Sequence, residues 1–159
     1  MILSSTVMGY MVSHKLLMRV RFLQQYLQFI IYLETEIRYS KRIIYEIVKS
    51  YKSNNEFAAF LNSICTNVEK SLSFDKAWQT AINDLPSTYG LLTQDKEIIC
   101  DFGRELGNTD IDGQIALCKL NKTLIHATLE SAKEEKNKKS KLYFMLGSSF
   151  GICLTIMLL

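Results

Sequence analysis

The sequence predicts an all-α fold, a helical bundle with an apolar segment at each end. One proline and seven glycines in 159 residues leave too few breakers for the many turns of an all-β fold. Apolar residues recur at spacings of three and four along most of the chain, the pattern of a helix with one buried face. No window shows the strict alternation of a half-buried strand. The length suits one domain, and 48% hydrophobic with 22% charged residues argues against disorder.

The first helix carries Leu16, Val20, Leu23, Leu27, Ile30 and Ile37, with Glu34 in line with that stripe. Leu33, Ile43, Ile44, Ile47 and Val48 extend it toward Tyr51, and the polar run Lys52-Ser53-Asn54-Asn55 ends it. A second helix fits Phe57, Leu61, Ile64 and Val68. Ser73 is the N-cap candidate for a short third helix with Phe74, Ala77, Trp78, Ala81 and Ile82, which Leu85-Pro86-Ser87 stops. A fourth helix, from Thr93 to Leu106, groups Ile98, Phe102 and Leu106, with Ile99 beside them. Gly107-Asn108 then supplies a left-handed stop. Thr109 or Asp110 caps a long last helix whose face holds Ile111, Ile115, Cys118, Ile125, Leu129 and Ala132.

The ends divide the chain into an N-terminal membrane segment (1–18), a helical bundle (19–141) and a C-terminal transmembrane helix (142–159). Residues 142–159 hold no charge over eighteen positions, which as a helix span roughly 27 Å, close to a hydrocarbon core of about 30 Å. Residues 1–13 are also uncharged but short for a span, fitting a thin span, an interfacial helix or a signal anchor. Lys15, Arg19 and Arg21 follow the first segment; Lys133, Lys136, Lys138, Lys139 and Lys141 precede the second. Basic flanks stay cytoplasmic, so the centre is expected inside the cell and both termini outside.

Several chemistries lack their parts. The two histidines, His14 and His126, form no Glu-x-x-His pair, and no nucleotide-binding, hydrolase or zincin motif occurs. Cys65, Cys100, Cys118 and Cys153 have no metal-ligand spacing and read as reduced, buried thiols. A net charge of +3, with basic and acidic residues interspersed, does not point to nucleic acid. The expectation is a non-enzymatic protein with no cofactor, metal or small-molecule substrate.

Two stretches go further: Leu33-Glu34-Thr35-Glu36-Ile37-Arg38-Tyr39, and Phe102-Gly103-Arg104-Glu105-Leu106-Gly107-Asn108-Thr109-Asp110 followed by Gln114. With Ala77-Trp78 between them and a lysine-rich helix leading into a terminal apolar segment, this ordered set resembles stage III sporulation protein AB of endospore-forming bacteria. The resemblance implies a mother-cell membrane protein of the channel-like complex joining mother cell and forespore. That family is similar to the helical cytoplasmic domains of type II secretion and type IV pilus platform proteins, which implies a secretion-type ATPase as partner. The chain departs from the family in its short first segment, and in having Ser40-Lys41-Arg42-Ile43 where relatives often carry a proline after the tyrosine.

Partner-facing candidates are Glu34, Glu36, Arg38, Tyr39, Arg104, Glu105, Asp110 and Gln114. Trp78, Phe102, Gly103, Leu106 and Gly107 are read as structural. Glu34 has two readings, pairing with a basic residue inside the fold or recognition of a partner. A platform subunit of a secretion or pilus system, and a membrane-tethered regulatory module with a soluble client, stand as alternatives.

Overall fold

The computed structural model describes the backbone of residues 2–40, 42–53 and 56–157, and the side chains of 12–40, 42–53, 57–139 and 142. It is all-α: α1 (Ile2–Tyr39), α2 (Ile44–Ser50), α3 (Glu56–Glu69), α4 (Phe74–Asn83), a 3-10 turn (Ser87–Tyr89), α5 (Thr93–Glu105) and α6 (Ile111–Met157). Among the described residues no helix is long and apolar enough to cross a membrane. The side chains of 1–11 and 143–159, which make up most of the two expected membrane segments, lie outside the described residues.

α1 and α6 form the spine. Glu34 of α1 meets Lys122 of α6 at 3.0 Å, and Arg19 meets Glu135 at 3.1 Å, so the two helices run antiparallel. α3 packs on α1 and α5 on α6, and α4 bridges α3 and α5. The core they enclose is aromatic: Phe22, Tyr26, Phe29, Phe57, Phe60, Trp78 and Phe102 are all buried. Their rings meet mostly edge to face or tilted, as Phe22–Phe57 does at 5.4 Å and Phe60–Trp78 at 5.3 Å. That geometry sets the positive ring edge against the negative ring face.

The first helix does not run on to Tyr51 as expected. It stops at Tyr39, and α2 begins at Ile44 without any proline between them. The reason is burial: a straight continuation would carry Ile47 and Val48 past the end of the bundle into water. Folding back buries both and sets Tyr51 edge to face with Phe29, ring centroids 5.2 Å apart. The buried face of α1 is wider than the expected stripe: Val20, Leu23, Ile30 and Ile37 are buried as expected, and Phe22, Tyr26 and Phe29 join them. Its centre is Arg19, Phe22, Leu23, Tyr26, Ile30, Leu33 and Ile37, leaving Leu16 and Leu27 half-buried.

Other boundaries follow the sequence. Gly107 ends α5 with a φ of 92°, in the left-handed region where a Cβ is strained. Asp110 caps α6, its Oδ1 accepting the Gly113 N–H at 3.0 Å. Ser73 sits at the N-cap of α4, but its hydroxyl makes no capping bond there. Ile115, Cys118, Ile125, Leu129 and Ala132 line the buried face of α6, whereas Ile111, expected with them, is 61% exposed.

Candidate functional site

The partner-facing candidates gather at one end of the bundle, the end remote from the chain termini. Glu34, Glu36, Arg38 and Tyr39 close α1; Arg104 and Glu105 close α5; Asp110 and Gln114 open α6. A groove of about 320 Å³ joins these segments, lined by Ile37, Ser40, Ile43, Gly107, Ile111 and Gln114 among others. Ile43 and Gly107 also line a second groove of about 400 Å³ that reaches Phe74 and Asp75.

Within this end the candidates separate by role. Glu34 is held internally by Lys122 at 3.0 Å and Arg38 at 3.3 Å. Burial pushes its carboxyl up, but Lys122 and then Arg38 outweigh that and hold it below the usual range. Glu36 meets Arg42 at 3.5 Å across the break after α1. Gln114 is buried and ties the connection before α6 together. Its Oε1 accepts the Gly107 N–H at 3.1 Å, and its Nε2 donates to Thr109 Oγ1 at 2.9 Å. Asp110 is spent on its cap. What faces outward is Tyr39 (80% exposed), Ile43 and Ile111, with Arg104 paired to Asp101 at 3.0 Å and Glu105 exposed beside them. Ile43 and Ile111 were not among the candidates. Their signal was the apolar character of residues bracketing predicted helix breaks.

The residues read as structural are so placed. Trp78 is fully buried, and its Nε1–H donates to the Ile99 carbonyl at 2.8 Å. Its ring lies flat against Gly103, where an added Cβ would overlap Trp78 Cδ1 and Cγ. Phe102 and Leu106 are buried beside it. Gly103→Ala is therefore expected to cost about 1–3 kcal/mol through overpacking, read as a lowered unfolding midpoint; an unchanged midpoint would contradict this packing.

An ion-pair clasp at the opposite end escaped sequence reasoning. Arg19, expected as a basic membrane flank, is 5% exposed and lies inside the bundle. Its Nε and Nη2 donate to Asp95 Oδ2 and Oδ1 at 2.7 and 2.9 Å, and Nη1 donates to Glu135 at 3.1 Å. Asp95, 1% exposed, also accepts the Leu92 N–H at 2.8 Å, closing the first turn of α5. Glu135 is in turn held by Lys139 at 2.6 Å, and these cations keep its carboxyl below the usual range. The only sequence signal was that Arg19 falls four residues before Leu23, on the buried face.

Cys65, Cys100 and Cys118 are free thiols, and burial pushes that of Cys118 up to about 12. Cys153 lies outside the described side chains. Among the described residues no cluster of His, Cys, Asp and Glu is arranged to hold a metal ion.

No curated protein and no solved structure matches this chain. The family model for stage III sporulation protein AB matches residues 1–159, the full chain, and agrees with the ordered motifs placed above. The chain therefore belongs to the stage III sporulation protein AB family.

Proposed function

We propose that the chain is a non-enzymatic platform subunit of the mother-cell-to-forespore channel complex. It is anchored in the mother-cell membrane through both ends, with the bundle in the cytoplasm. The observation that carries this reading is the antiparallel pairing of α1 with α6. With Arg19 beside Glu135, the helix leading from the N-terminus and the helix leading to the C-terminus meet the bundle at the same end. Two apolar tails leaving one end together suit a two-ended tether. Lys15, Arg21, Lys136 and Lys138 remain at that end as the basic flank.

The remote end, with Tyr39, Ile43 and Ile111 exposed, is then the surface that reaches into the cytoplasm toward a secretion-type ATPase. Deleting the gene is expected to block sporulation after engulfment begins while leaving vegetative growth normal; normal spores would overturn the reading. In a complemented strain, Tyr39→Asp with Ile43→Asp should leave the chain in the membrane fraction but abolish co-purification of the ATPase.

A further inference from the structure

The connection between α4 and α5 runs Asp84-Leu85-Pro86-Ser87-Thr88-Tyr89-Gly90-Leu91-Leu92, and the eight residues after Asp84 carry no charge. It is fixed against α1: Gly90, at φ 66°, lies so close to the Lys15 backbone that an added Cβ would overlap the Lys15 carbonyl. Tyr89 is buried against Phe22, with ring centroids 5.7 Å apart. This pins the loop to the end of the bundle where α1 enters. Arg19 touches Glu135, so Lys15 and Lys139, each one turn further along its helix, stand at about the same height. Leu92, 50% exposed, is presented at this end, and Leu142, 57% exposed, follows the lysines on α6. Lys15 and Arg21 of α1 and Lys136 and Lys138 of α6 belong to the same end, with Lys15 and Arg21 exposed and Lys138 3.8 Å from Glu134.

We propose that the loop 85–92 is a third membrane contact, in which Leu92 enters the headgroup region of an anionic lipid surface while the basic residues at this end of the bundle meet the lipid charge. The inference rests on the terminal helices anchoring the chain, since that anchoring sets the plane in which the loop lies. An uncharged stretch with an exposed leucine, at the end of the bundle that also carries Lys15, Arg21 and Lys136, has the two parts of interfacial binding, apolar insertion and attraction to acidic headgroups. The loop does not span; it seats the bundle against the bilayer, fixing tilt where two helices alone leave it free.

Full-length protein in vesicles of mixed anionic and zwitterionic lipid, with chains brominated near the headgroup, tests this through tryptophan emission. Trp78 is fully buried and gives a constant background. Leu92→Trp is expected to add emission that brominated lipid quenches, more strongly as the anionic fraction rises. Ile111→Trp, at the remote end, should add emission that bromine does not reach. Equal emission from the two variants in brominated vesicles, or quenching at position 92 that ignores lipid charge, would overturn the proposal. Flotation separates the two readings: a chain that floats with Leu92→Trp unquenched overturns the loop contact alone, whereas a chain that stays behind overturns the anchoring as well.

Discussion

Arg19→Met is expected to destabilise the fold by about 3–5 kcal/mol, because it leaves the Asp95 carboxylate buried without its cation. Methionine keeps most of the arginine stem, so the loss reports charge rather than volume. Asp95 retains the Leu92 N–H, but one neutral donor does not balance a carboxylate that is 1% exposed. The partner variant distinguishes this account from simple packing. Asp95→Asn removes the charge while keeping an acceptor for Leu92, so the double variant Arg19→Met with Asp95→Asn should recover most of the lost stability. Denaturant unfolding of the full chain in detergent measures both. A single variant within about 1 kcal/mol of the parent would mean that the clasp is open to water.

Trp78→Ala should cost a similar amount, about 3–5 kcal/mol. Four ring neighbours, Phe29, Phe60, Phe74 and Phe102, lie with centroids 5.3–6.2 Å from the indole, and α5 is packed directly on it through Gly103. Large rings cannot collapse into a hole of this shape without leaving their rotamers, so the cavity persists. Trp78→Phe isolates the remaining contribution: it fills much of the space but cannot donate to the Ile99 carbonyl, and should lose clearly less. Thermal melts followed by circular dichroism give both values; equal losses would place the energy in the hydrogen bond rather than the ring.

How far the sequence could be read depended on what kind of contact was at stake. The ends of helices α4 and α5 were legible because their stops are chemical: Pro86 and Gly107 forbid continuation by their own backbone preferences. The end of α1 was not, because nothing in Ser40-Lys41-Arg42-Ile43 opposes a helix. Only the burial of Ile47 and Val48 against α3, a fact of tertiary structure, ends it. The buried face of α1 was drawn too narrow because aliphatic residues were followed and Phe22, Tyr26 and Phe29 were not. Arg19 then read as a membrane flank when it is the polar centre of that face. The remote surface was legible in outline, since the motifs around Glu34 and Gly107 are brought together. Which residues of that surface hold the fold and which face outward depended on distant partners, as Lys122 is 88 residues from Glu34.

The two spine helices hold 38 and 47 residues, and the sole proline of the chain lies in neither. At about 1.5 Å per residue they are rods of roughly 57 and 70 Å with no proline hinge at which to bend. A rotation or tilt imposed on one end is then delivered to the other as a lever delivers it, and the Arg19 clasp ensures that α5 turns with them. A displacement applied where the two helices leave the bundle would swing the Tyr39–Ile111 surface through an arc, with little of it absorbed between.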